Sequence, residues 1–116
     1  MGSSVKRGNY YKVKTKKWYE KQGYEVQYTE FTCGRMIGKG KIIYVKVDVF
    51  GSDGIAMNGK EIIFWNSKST ITGKKGVSKE KSRGKKEFEQ YPFPDCVKRQ
   101  LVIWEPRKQP IIVNCE

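Results

Sequence analysis

The dipeptide Asn58-Gly59 lies between two stretches, residues 53–57 and 60–68, that both favour extended backbone. Asn-Gly readily adopts the positive φ angles of a two-residue hairpin turn, so the flanks are expected to pair as antiparallel strands. That register sets Met57 opposite Lys60, Ile55 opposite Ile62 and Asp53 opposite Phe64. Residues two apart on a strand share a face, which puts Asn66 and Lys68 on the side of Phe64 and Asp53. Asp53 and Asn66 become diagonal neighbours, roughly 5 to 8 Å apart, with Lys68 just beyond them.

The rest of the chain supplies more strands and some helical cover. Residues 9–22 read as a helix, with Tyr11, Thr15 and Trp18 on one face, Tyr19 beside them, and Gly23 as the stop. Residues 24–31 read as a strand and 32–40, with three glycines, as a mobile connection. Residues 41–50 alternate as a second strand, with Val45, Val47 and Val49 facing one way and Lys46 and Asp48 the other. Residues 70–86 carry many cations and little that could fill a core, and are expected as a basic mobile loop. A short helix over 85–91 ends before Pro92, and residues 98–105 and 111–115 close the chain as strands. Residues 1–5 are expected to be disordered, and no repeat occurs at any period. At 116 residues, one α/β domain spanning 1–116 is expected, with a mixed central sheet flanked by helices.

Charge narrows the partners. Twenty-four Lys and Arg against twelve Asp and Glu leave a formal charge of +12, far beyond what solubility requires. A polyanion, nucleic acid first, is the expected partner. No apolar run is long enough to span a bilayer, and no secretory h-region appears, so an intracellular, cytoplasmic setting with no membrane partner is expected. Cys33, Cys96 and Cys115 are odd in number and far apart, which suits reduced thiols better than a disulfide framework or a zinc site. The chain has no His, so every mechanism built on an imidazole base is excluded. Chemistry must come from carboxylates, Lys or a metal.

Asp53, Asn66 and Lys68 answer that requirement. A carboxylate and a carbonyl oxygen suit Mg²⁺ or Mn²⁺, and a neighbouring ammonium can stabilise charge building on an attacked phosphate. Asp53, twelve intervening positions and then Asn66-Ser67-Lys68 resembles the signature of the PD-(D/E)XK nucleases, and residues 48–53 look like that family's acidic approach to its site. Lys6-Arg7-Gly8, a helix of fourteen residues and Gly23-Tyr24 is similar to the start of archaeal-type Holliday junction resolvases. The resemblance covers about residues 6–69. It implies a restriction-endonuclease-like fold, with Asp53, Asn66 and Lys68 catalytic and the first two ligating Mg²⁺ or Mn²⁺. It further implies a homodimer acting on branched or junction DNA. Two departures stand out: Asn66 occupies a position usually held by Glu or Gln, and Lys12 stands where the resolvase-like helix usually carries Glu. Asp48 is a candidate second carboxylate ligand.

The expected DNA contacts are Arg7, Lys12, Arg35, Lys39, Lys74, Lys75, Lys79, Lys81 and Arg83. Seven cations with one acid, Glu80, in residues 73–86 would repel one another without phosphate. The alternatives are a non-catalytic DNA- or RNA-binding module on the same fold, and a basic protein that neutralises nucleic acid with no defined site. Tyr10, Tyr11, Trp18, Tyr19, Trp65 and Trp104 could stack on unpaired bases, although their spacing suits a core.

Overall fold

The structure is a computed structural model that describes residues 3–71, 73–94 and 96–115, with side chains for 8–30, 34, 36–44 and 47 onward within those spans. Helix α1 spans Ser3–Lys21. It is followed by strands β1 (Glu25–Tyr28), β2 (Glu30–Met36) and β3 (Ile42–Asp48). A tight bend at Val49–Gly51 leads to β4 (Gly54–Met57) and β5 (Ile62–Ser69). Helix α2 (Lys74–Glu89), β6 (Val97–Trp104) and β7 (Ile111–Asn114) complete the chain.

Five strands form one mixed sheet in the order β1-β4-β5-β6-β7, and β2-β3 is a separate antiparallel pair. The β5–β6 pairing is parallel, so α2 is the crossover between them, while the other pairs are antiparallel. The expected mixed sheet with helical cover is therefore the observed one. Each face has its own core. On the α1 face Tyr19 and Trp65 stack at 6.1 Å, with Val26, Ala56, Ile63, Val102 and Trp104 around them. On the α2 face Phe88, Leu101, Ile103 and Cys115 pack together. Thr15 locks α1 to the sheet: its hydroxyl donates to the Tyr11 carbonyl (2.7 Å), accepts from Trp104 Nε1 (2.8 Å) and lies 3.1 Å from Ser67 Oγ. No helix among the described residues is long and apolar enough to cross a membrane.

Several expectations need correction. Residues 70–86 are not a mobile loop, because α2 begins at Lys74. Its inner side is made of Gly76, Gly84 and Phe88, so burial there comes from close backbone approach rather than from an apolar stripe. A Cβ on Gly84 would lie 2.3 Å from Leu101 Cδ2. Residues 32–40 are not a loose connection: most of them belong to β2, which pairs with β3 from Glu30↔Asp48 to Met36↔Ile42. At the amino end, residues 3–5 are already helical, while Met1 and Gly2 lie outside the described residues.

The β4–β5 turn is longer than the Asn-Gly pair suggested. Asn58 N–H donates to the Glu61 carbonyl, and Asn58 Oδ1 accepts from the amides of Lys60 and Glu61. The Asn side chain thus holds a four-residue turn, pairing Met57 with Ile62 and Gly54 with Trp65. The register differs from expectation by two residues, and a shift of two leaves every side chain on its face.

Gly54 sits under the Trp65 ring, where a Cβ would lie 2.1 Å from Cζ2. Gly54→Ala should therefore destabilise by about 1–3 kcal/mol, the usual cost of overpacking a core. Gly59→Ala, with nothing within 4 Å of the added carbon, should change stability by less than about 0.5 kcal/mol. Urea unfolding of both variants checks the contrast.

Candidate active site

The site grows from a strand that changes partners. Through β1 the chain pairs with β4; at Thr29 the amide still donates to the Asp53 carbonyl (3.0 Å), while the Thr29 carbonyl accepts from Val49 N–H (3.1 Å). Glu30 follows and lies directly across from Asp48 in the β2–β3 pair. The bend at Val49–Gly51 then brings Asp53 back to the same place. Among the described residues, Glu30, Asp48 and Asp53 form a group in which one carboxylate oxygen from each lies within 4.8 Å of the others. Like charges opposed on a strand pair repel, so such a group calls for a cation. Lys12 provides one from α1: its Nζ is 2.5 Å from Glu30 Oε2 and 3.9 Å from Asp53 Oδ1.

Asp53 is held on both sides. Its Oδ2 accepts from the Ser67 amide (2.9 Å), and its own N–H donates to Asn66 Oδ1 (2.7 Å). Burial pushes its carboxyl from the ordinary 3.8 up to about 6; the Ser67 amide and Lys12 oppose the rise, Glu30 adds to it, and Lys68 opposes it. Lys68 projects from β5, and its ammonium donates to Glu87 Oε1 of α2 at 2.7 Å. Asn66, between them, is buried, and its amide nitrogen donates to the Gly51 carbonyl (2.9 Å) and to Glu87 Oε2 (3.0 Å). Lys12, Glu30, Asp48, Asp53, Lys68 and Glu87 all line one cavity of about 500 Å³.

The expected trio of Asp53, Asn66 and Lys68 is thus brought together, and Asp48 joins it. Asn66 Oδ1 is engaged by the Asp53 amide, so its observed part is to position the bend, Asp53 and Glu87. Two carboxylates were missed. Glu30 needed the β2–β3 register, and Glu87, inside the short helix expected over 85–91, needed the packing of α2 against β5. The donor set suits a hard divalent cation: oxygens around octahedral Mg²⁺ at about 2.1 Å are about 3 to 4.2 Å apart, a little closer than the present limit.

The expected DNA contacts divide among three places. Lys12 is in the site itself. Lys74, Lys75, Lys79, Lys81 and Arg83 are exposed on α2, with Arg83 also 3.2 Å from Glu80, and Lys39 is exposed in the β2–β3 turn. The side chains of Arg7 and Arg35 lie outside the described residues.

The raised carboxyl of Asp53 makes stability depend on pH. Folding binds a proton here between 3.8 and about 6, so the stability tied to this group is complete below pH 3.8 and declines as pH rises through about 6. The loss amounts to at most about 3 kcal/mol. Asp53→Asn keeps an acceptor for the Ser67 amide but cannot ionise. Relative to wild type it should gain stability between pH 4 and 7, as read from denaturant midpoints at each pH; a constant difference across that range would contradict the raised value.

Neither a protein-family model nor a curated protein matches the chain. Among solved structures it is similar to the crystal structure of SSO0001, with a TM-score of 0.56 and 17% identity, over 97% of this chain and 52% of that one. The chain thus spans about half the length of that protein, and at this identity the likeness is one of fold. A weaker likeness, with a TM-score of 0.46 and 16% identity over 89% of this chain and 72% of the other, is to Hjc of Archaeoglobus fulgidus, a Holliday junction resolvase from an archaeal hyperthermophile.

Proposed function

We propose that the chain is a metal-dependent DNA endonuclease of the PD-(D/E)XK kind, with a restriction-endonuclease-like fold, acting as a homodimer on branched DNA such as a Holliday junction. The observation that carries this reading is the convergence of Glu30, Asp48 and Asp53 within 4.8 Å, in a cavity that also presents Lys68. Those three carboxylates would hold Mg²⁺ or Mn²⁺, which when bound offsets charge on an attacked phosphate and acidifies a coordinated water. Asp53 stays aligned because its second oxygen is fixed by the Ser67 amide. Lys68, oriented by Glu87, donates to a non-bridging phosphate oxygen as negative charge builds there. The resemblance implies departure of a 3′ oxygen, leaving a 5′ phosphate. The exposed lysines of α2 and Lys39 read the phosphate backbone, so binding is expected to weaken steeply with salt. Two strands cut symmetrically require two sites, which is the reason for a homodimer.

The test is cleavage of a labelled four-way junction and a matched duplex with Mg²⁺ or Mn²⁺. Wild type should cut the junction, and Asp53→Ala and Lys68→Ala should each lose at least about 100-fold in rate, the scale of losing one electrostatic stabiliser.

A second reading has its own support in Lys12, whose ammonium already neutralises Glu30 where a divalent cation would sit. In that case the protein is a DNA- or RNA-binding module without cleavage. Tight binding with no cutting under either metal would establish it. Both readings share one consequence: Lys12→Met removes the resident cation and should raise Mn²⁺ affinity by about tenfold or more, measured calorimetrically without DNA, since a competing charge within about 4 Å is lost. Unchanged affinity would mean that Lys12 does not compete for the site.

A further inference from the structure

A second cavity opens beside the acidic one. It has a volume of about 340 Å³ and is lined by Phe50, Phe64, Tyr91, Phe93, Val97 and two prolines, Pro92 and Pro94. Tyr91 lines both cavities, and Phe50 precedes Gly51, whose carbonyl Asn66 holds at the floor of the acidic site. The two therefore adjoin at the bend.

Phe50 is the unusual member. Its φ is 52° and ψ 36°, in the left-handed region that bulky side chains avoid, yet the residue is 53% exposed. Strain of this kind persists only where its surroundings enforce it, and it gathers at functional positions. Enforcement is visible on both sides: Ser52 binds the Val49 carbonyl through its amide and its hydroxyl, and Gly51 is pressed on the Tyr91 ring, where a Cβ would lie 3.0 Å away. The ring is thus fixed at the wall of the cavity, roughly perpendicular to Tyr91 (5.7 Å), Phe93 (6.0 Å) and Phe64 (6.3 Å). Beneath it, the Arg99 guanidinium lies 5.3 Å from the Phe93 centroid, and Arg99 Nε is buried with no hydrogen-bond partner among the described residues.

We propose that this aromatic pocket takes one unpaired nucleobase, stacked on the Phe50 ring and bordered by Tyr91, with the adjoining phosphate led towards the acidic cavity and Lys68. The occupant must offer a planar apolar face, because the pocket is apolar and aromatic, and a negative charge near it, because the chain carries +12 and the exposed lysines of α2 lead towards Tyr91. A nucleotide has that combination. Stacking accepts any base, since every base has a π-face, so the pocket selects for unpairing and not for sequence. This deepens the nuclease reading, on which it rests for the adjoining phosphate: a base free to leave its stack occurs at a junction crossover, a flap or a bulge, and not in uniform duplex.

The experiment uses the full chain in EDTA, with a duplex carrying a single bulged 2-aminopurine and the same duplex fully paired. Wild type should quench the bulged fluorophore and bind that duplex about tenfold more tightly than the paired one. Phe50→Gly, which relieves the backbone strain and so is expected to stay folded, and Tyr91→Ala should each lose the quenching and the preference, whereas Phe50→Trp should keep both. Quenching that survives Phe50→Gly and Tyr91→Ala, or no preference in wild type, overturns the pocket. Because no metal is present, the result is separate from cleavage: loss of the pocket leaves the metal-dependent nuclease standing, and an uncleaved junction leaves the stacking measurable.

Discussion

The buried amide of Asn66 is the interaction on which the site depends. A side-chain amide removed from water must satisfy its donors and its acceptor inside the protein, and leaving one unmade costs about 1–3 kcal/mol. Asn66 does so by binding the Asp53 amide, the Gly51 carbonyl and the Glu87 carboxylate. Each bond reaches a different part of the chain: the start of β4, the bend after β3, and the last turn of α2. Asp53 is thereby placed against Ser67, Phe50 is held in its strained conformation, and Glu87 is aimed at Lys68. A hydrophobic residue of similar size would fill the same space without fixing any of these three.

Around that anchor the electrostatics run opposite to the chain as a whole. The protein carries +12, yet the cavity gathers Glu30, Asp48, Asp53 and Glu87. Lysines are drawn inward to meet them, Lys12 on Glu30 and within 3.9 Å of Asp53, and Lys68 on Glu87. The surplus cations of α2 stay at the surface. On the proposed reading, a polyanion drawn to the outside of the molecule would meet there carboxylates able to exchange a lysine for a divalent ion. Local negative charge inside a positive field would concentrate both a polyanionic substrate and a divalent metal at the same place.

How far the sequence carries depends on which physical signal each element uses. The Asp53, Asn66 and Lys68 grouping was legible because strand faces follow a period of two, and a turn misjudged by two residues preserves them. Glu30 was not, although a signal existed: Ile37 N–H donates to the Lys41 carbonyl across a turn containing Gly38 and Gly40, and counting back from it sets Glu30 against Asp48. Taking 32–40 as a loose connection hid that register. The β3 alternation was real but did not report burial, since Ile42, Ile43 and Tyr44 are all exposed on a hairpin outside the main sheet.

The short helix expected over 85–91 is the end of α2, but the rest of that helix, from Lys74, escaped for a different reason, and that reason explains the chemistry. A helix normally announces its buried face with large apolar residues, whereas here Gly76 and Gly84 occupy it. Glycine costs helix propensity, about 1 kcal/mol each relative to Ala. What offsets the cost is proximity: at Gly84 the helix backbone lies so near Leu101 that no side chain fits. That closeness brings Glu87, three residues on, to the sheet surface, where it holds both Asn66 and Lys68. A larger residue at 84 would give a helix easier to find in the sequence and would lift Glu87 away from the lysine it orients. The composition that conceals the helix is thus the one that lets it reach the site.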